Sequence, residues 1–204
     1  MAYYDEVGWT DYKHAESGAP ILKAQHPDFE TWSQGIHAAN GVTCADCHMA
    51  YQRNGAAKVS NHQIMSPMAN DETINASCLT CHHSTEAEMR QRVEKIQTTW
   101  QRSLNVSFTA LEGLINDIKA AEANGTATEE QLTLARDYQR KAQFVVDYSF
   151  SENGRGFHAP QYSVSMLNQA TDWARSGQLA LRGVSVENGV PPAIPEKHMP
   201  NKEN

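Results

Sequence analysis

Every cysteine of this 204-residue chain lies in one of two C-x-x-C-H runs, Cys44-Ala45-Asp46-Cys47-His48 and Cys78-Leu79-Thr80-Cys81-His82. Such a pair constrains the fold more than any hydropathy pattern. Two thiols one helical turn apart can form thioethers to the two vinyl groups of one porphyrin, and the next histidine then falls under the iron. Both runs therefore read as attachment sites for c-type haem. Two other chemistries use paired cysteines. Four thiolates could hold zinc, but zinc needs no histidine after each pair. Disulfides within each pair, as in a thioredoxin-type site, belong to a βαβ setting that this sequence lacks.

Residues 1–83 are rich in Gly, Pro, His and Cys and show no sustained hydrophobic period. They read as a haem-binding region of short helices and loops, with the cofactor supplying the core. From Ser84 the character changes. Thr85-x-x-Glu88 makes a capping box, and Met89, Val93, Ile96, Trp100, Leu104, Phe108, Leu111, Ile115 and Ile118 recur at spacings of three and four. This predicts one long helix ending near Asn124-Gly125. A second opens at Thr128-x-x-Gln131, carries Leu132, Ala135, Tyr138, Ala142, Val145 and Tyr148, and breaks at Asn153-Gly154. The short turn between them makes the two antiparallel. After the loop 154–160, a third helix runs from Tyr162 to about Arg182. The division is thus 1–83, a long-helix region 84–182 and a Pro-rich tail 183–204. The fold class is mainly α, a multihaem cytochrome c with long antiparallel helices after the haem region. The apolar stripe fits either a dimer interface or an intramolecular three-helix core.

With 17 Lys+Arg against 24 Asp+Glu, the formal charge is −7. That balance, without a basic run, argues against nucleic acid as a partner. No apolar stretch approaches a membrane span, so an integral membrane protein is not expected. The N-terminus shows neither a basic n-region nor an apolar h-region, which leaves a removed leader or a piece of a longer chain.

Each haem has a second axial position that histidine can fill. The remaining histidines are His14, His26, His37, His62, His83, His158 and His198, and composition does not choose among them. His83 adjoins a ligating histidine and His198 lies in the tail, so both read as ordinary.

The run Leu22-Lys23-Ala24-Gln25-His26-Pro27-Asp28-Phe29-Glu30-Thr31-Trp32, then Gly35-Ile36-His37 and Val42-Thr43-Cys44-x-x-Cys47-His48-Met49, resembles the ammonia-forming cytochrome c nitrite reductases. Asn61-His62, the second cysteine motif, the long helices and Phe157-His158-Ala159-Pro160 follow in that family's order. The resemblance covers nearly the whole chain but only about the C-terminal half of a family member.

It implies a periplasmic pentahaem enzyme that reduces nitrite to ammonium with six electrons. Cys44, Cys47 and His48 would bind one haem with His158 distal, and Cys78, Cys81 and His82 another with His37 distal. His62 would be the distal ligand of a haem whose attachment motif is absent here. His26 matches the active-site histidine that hydrogen-bonds nitrite and delivers protons, a task suited to an imidazole; the alternative is a packed histidine before a proline turn. Lys23 and Gln25 match calcium ligands through a backbone and a side-chain carbonyl, where an ordinary reading is a solvated pair. The long helices would form a homodimer interface, and electrons would come from a quinol-linked or cytochrome donor.

The departures are as informative. That family's catalytic haem has a lysine proximal ligand, usually in C-x-x-C-K, and no cysteine is left here for it. The chain alone is therefore not expected to reduce nitrite. It reads as the C-terminal part of such an enzyme, the N-terminal half being missing or separately encoded. The rival reading is a free-standing dihaem electron carrier without catalysis.

Overall fold

Up to residue 83 the chain makes only short elements, as its lack of an apolar period implies. These are α1 (Ala2–Glu6), β1 (Tyr12–Lys13), β2 (Pro20–Ile21), α2 (Asp28–Trp32), α3 (Ile36–Ala39), α4 (Cys44–His48), β3 (Tyr51–Asn54), β4 (Ala57–Ser60) and α5 (Asp71–Ser77). The computed structural model describes residues 1–184, so most of the expected tail, with His198, lies outside the described residues. Both strand pairs are antiparallel hairpins, with Tyr12 opposite Ile21 and Tyr51 opposite Ser60. Sequence periodicity signals neither. In the second, Gly55 at φ +61° opens a two-residue turn, a conformation that favours glycine.

Three long helices follow: α6 (Glu86–Asn124), α7 (Glu129–Phe150) and α8 (Pro160–Ala180). Both expected capping boxes are present, Thr85 with Glu88 and Thr128 with Gln131. Gly125, at φ +62°, ends α6 in the left-handed conformation. α8 begins at Pro160, two residues earlier than the spacing predicts, because proline at the first helical position loses no hydrogen bond. α7 stops at Phe150, short of Asn153. Ser151 Oγ turns back to the Asp147 carbonyl, and the Gly154 and Gly156 amides are drawn to the Glu152 carboxylate instead of continuing the helix.

The three helices pack on one another within the chain, around Leu104, Leu114, Ile118, Ala142, Val146 and Leu167. Of the predicted stripe, Met89, Val93, Trp100, Leu104, Leu111 and Ile118 are buried, whereas Phe108 faces outward against Phe150 with ring centroids 5.8 Å apart. The correction has a geometric cause. Beyond Leu104, α6 is wedged between α7 and α8, so the buried face widens to include Ser107, Ala110 and Leu114. Ser107 is satisfied there, its hydroxyl donating to the Leu167 carbonyl at 2.8 Å.

Two arginines of α7 fasten the N-terminal segment to this core. Arg140, 6% exposed, bonds the Asp5 carboxylate and the Pro20 and Trp9 carbonyls at 3.1, 3.1 and 2.8 Å. Arg136 donates to the Ser17 carbonyl at 2.7 Å and pairs with Glu122. His14 serves the same segment, its Nδ1 accepting from the Glu16 and Ser17 amides. No helix among the described residues is long and apolar enough to cross a membrane.

Candidate functional site

The two cysteine motifs form locally and differently. Thr43 and Asp46 cap α4 reciprocally, so Cys44 to His48 is a helical turn with both sulfurs on one side. The second motif departs from this. Cys78–Thr80 is a 3₁₀ turn, tightened by the Thr80 hydroxyl donating to the Ser77 carbonyl at 2.7 Å. All four thiols are free. Cys44 and Cys81 are exposed, while burial first, and neighbouring thiols second, push the Cys47 thiol up to about 11. A cavity of about 650 Å³ opens beside Cys47 and His48, with Tyr51, Met65 and Asn70 on its walls. That lies within the size range of cofactor sites.

The histidines meet in two pairs. His37 on α3 faces His82 with ring centroids 6.3 Å apart, and His48 on α4 faces His158 at 6.4 Å. Two imidazoles bound through nitrogen at about 2.0–2.1 Å on opposite sides of one metal have centroids about 6–6.5 Å apart. Neither pair is stacked face to face, the ring planes lying at 87° for His37 and His82 and at 62° for His48 and His158. The centroid spacing of each pair matches that of two imidazoles sharing one iron. Each pair joins the last residue of a C-x-x-C-H run to a histidine from a separate segment.

The close approach of those segments depends on Gly35. A Cβ there would lie 2.0 Å from the His158 carbonyl oxygen, so only glycine lets the start of α3 touch the loop that carries His158. Phe157 lies 5.9 Å from the His37 ring on the same loop. Burial, followed by the neighbouring His82 and His158 rings, lowers the proton affinity of His37. The neutral form is the one that ligates a metal.

Sequence reasoning missed Glu152. It is 3% exposed, and its carboxylate accepts from His158 Nδ1 at 2.5 Å and from the Gly154 and Gly156 amides at 2.7 and 2.9 Å. Burial alone would raise its proton affinity, but these three bonds hold it below the ordinary glutamate value. The bond to Glu152 raises that of His158, against the opposing effect of burial. Asp28 completes the cluster, with ligand atoms of all three residues within 4.8 Å of one another. Among the described residues, the four thiols form no such convergent group.

The other predicted residues lie apart. Lys23, Gln25 and His26 are exposed along the irregular segment that follows β2, and His62 is exposed in the turn after β4. The Lys23 amide donates to Asp11 at 2.7 Å, which orients this segment. His26 has φ +50°, in the left-handed region that a non-glycine residue occupies only when its surroundings impose it.

Comparison with known proteins places the chain in a family. The family model described as cytochrome c552 matches residues 1–204. The chain belongs to the cytochrome c552 family. Cytochrome c-552 of Parabacteroides distasonis is 40% identical over 202 residues, covering 99% of this chain and 40% of that protein. That of Porphyromonas gingivalis is 38% identical over 98% of this chain and 40% of its own length. Among solved structures, the cytochrome c nitrite reductase of Desulfovibrio desulfuricans, described for two calcium sites in its catalytic subunit NrfA, superposes with a TM-score of 0.80. It is 32% identical, over 86% of this chain and 37% of that one. The chain thus spans about two fifths of the length of these cytochrome c552 relatives. Membership implies haem c as the cofactor, in a mainly α fold.

Proposed function

We propose that this cytochrome c552 chain is the part of an ammonia-forming nitrite reductase that carries two bis-histidine haems and the active-site histidine. The paired imidazoles carry the reading: His48 with His158, and His37 with His82, at 6.4 and 6.3 Å. Cys44 and Cys47 would tether one haem c, and Cys78 and Cys81 the other. Bound there, haem c supplies one-electron transfer, and two histidine ligands leave no open position for bond chemistry.

The chain's own residues do the rest. His26 would hold a ring N–H toward a nitrite oxygen and deliver protons as the N–O bonds break. Its strained backbone supports that role, since strain of this kind is held at functional sites. The Lys23 carbonyl and the Gln25 side-chain carbonyl are the calcium ligands of this reading, in line with the calcium sites described for the Desulfovibrio enzyme. His62 would serve a haem attached elsewhere, and residues beyond this chain would supply the lysine-ligated catalytic haem. A periplasmic homodimer with an external electron donor completes the proposal.

The test is made on the intact haem-loaded protein that contains this chain. His37→Ala and His158→Ala should each convert one haem from low-spin to high-spin in the electron paramagnetic resonance spectrum. The parent protein should form ammonium from nitrite with a reduced donor. Haems that stay low-spin in both variants would overturn the ligand assignment. Spectral changes as expected, without ammonium from the parent protein, would favour the stand-alone electron carrier.

A further inference from the structure

The two histidine pairs are alike in spacing and unlike in what stands behind them. His158 is backed by Glu152, which is 3% exposed and whose carboxylate accepts a hydrogen bond from His158 Nδ1 at 2.5 Å. The carboxylate is itself held by two backbone amides of the same loop, from Gly154 and Gly156. Gly154 is forced by this contact, because a Cβ there would lie 2.6 Å from both Glu152 Oε1 and His158 Nδ1. On the opposite side, His48 Nδ1 meets a neutral carbonyl, that of Met65, at 3.1 Å. Among the described residues, no carboxylate hydrogen-bonds the His37 ring or the His82 ring.

We infer that Glu152 is a positioning residue that locks His158 as the Nδ1–H tautomer and makes the His48/His158 haem the harder of the two to reduce. The inference rests on the ligand assignment proposed above. A carboxylate accepting the remote ring proton leaves Nε2 as the free lone pair and gives the imidazole more imidazolate character. A stronger donor stabilises the ferric over the ferrous state, and a buried anion near the iron acts in the same direction. A carbonyl orients a ring but adds no charge, so the His37/His82 centre lacks this contribution. The two amides matter because they keep the carboxylate ionised while it is buried, and because they fix its position whether or not the histidine pulls on it.

The experiment is a redox titration of the intact haem-loaded protein, followed by optical and paramagnetic resonance spectra, for the parent, Glu152→Gln and His158→Ala. Glutamine keeps an acceptor for the Nδ1 proton and removes the charge. Glu152→Gln should leave every haem low-spin and move one midpoint upward by about tenfold in its oxidised-to-reduced ratio, about 59 mV for a one-electron couple. The other midpoints should not move. Unchanged midpoints with unchanged spectra would overturn the inference. So would loss of the low-spin signal in Glu152→Gln without an upward shift, which would give Glu152 a purely structural role. His158→Ala separates the two claims: if it leaves all haems low-spin the ligand assignment itself fails, whereas a high-spin haem beside an unmoved Glu152→Gln midpoint refutes only the tuning.

Discussion

Asp28 grips Asn153 twice: Oδ1 accepts from the Asn153 amide N–H at 2.9 Å, and Oδ2 from its side-chain Nδ2 at 2.9 Å. Asp28 stands two residues after His26, and Asn153 follows Glu152. The proposed proton-delivering segment and the proposed ligand loop are thus held as one piece. Asp28→Ala should lower stability by about 1–2 kcal/mol for two partly exposed bonds and should reduce nitrite turnover in the intact protein. A melting temperature that falls while turnover stays at the parent level would mean that the two loops are positioned independently.

His26 tests strain against function. Glycine adopts φ +50° without steric cost, so His26→Gly should raise stability by up to about 1 kcal/mol. It should also abolish most nitrite turnover while the haem spectra persist. Thermal melts and an ammonium assay on the same preparation check both halves.

Arg140 reaches three acceptors at once from a buried site. Arg140→Met would strand two carbonyls and the Asp5 carboxylate, for a loss of about 2–3 kcal/mol. Arg140→Lys should recover little, because an ammonium cannot span all three. Limited proteolysis should then cut first within residues 1–27.

Asp147 gives a pH signature. Its carboxyl is pushed above the ordinary aspartate value by burial, partly offset by Lys23 at 3.7 Å. The folded form therefore binds the proton more tightly than the unfolded form. Its stabilising contribution is complete below the unfolded value, 3.8, and is lost as pH rises through the raised folded value. Asp147→Asn should accordingly melt higher than the parent at neutral pH and lose that advantage in acid. Equal melting temperatures at both pH values would show that Lys23 fully neutralises the carboxylate.

Leu114 and Gly177 form a coupled pair between α6 and α8. A Cβ at 177 would lie 2.8 Å from Leu114 Cδ1, so Gly177→Ala should destabilise by crowding, and Leu114→Ala by about 2–5 kcal/mol through the cavity it leaves. The double variant should cost less than the two losses added together, because the new methyl enters the vacated space. Additive losses in denaturant titrations would refute that contact.

The helices were legible where the signal is local. Thr85, Thr128 and Gly125 bound α6 and α7 where their capping chemistry implies, because a cap depends on residues within one turn. Phe108 misleads, since spacing alone does not reveal that α6 changes partners along its length. The Gly55-Ala56 turn gives no signal amid a stretch with no strand periodicity. At the site, both attachment motifs stand out because their spacing is the chemistry. Periodicity alone left the distal histidines undecided, and only the family resemblance proposed His37 and His158. Glu152 was invisible for a physical reason. Its importance comes from burial and from a partner six residues away on an irregular loop, and no spacing rule describes such a contact.

The histidine pairings also interlace along the backbone. His37 meets His82 and His48 meets His158, so the stretch 37–82 overlaps the stretch 48–158. Joined through iron as proposed, the two loops would be linked like overlapping clasps. Closing either one shortens the search that the other must make, since closure entropy grows with the free length between ends. A backbone nick in the exposed turn around His62 would fall inside both loops and release neither end. Such a cut would leave the ends tethered, and the haem-loaded chain should survive it as a single particle.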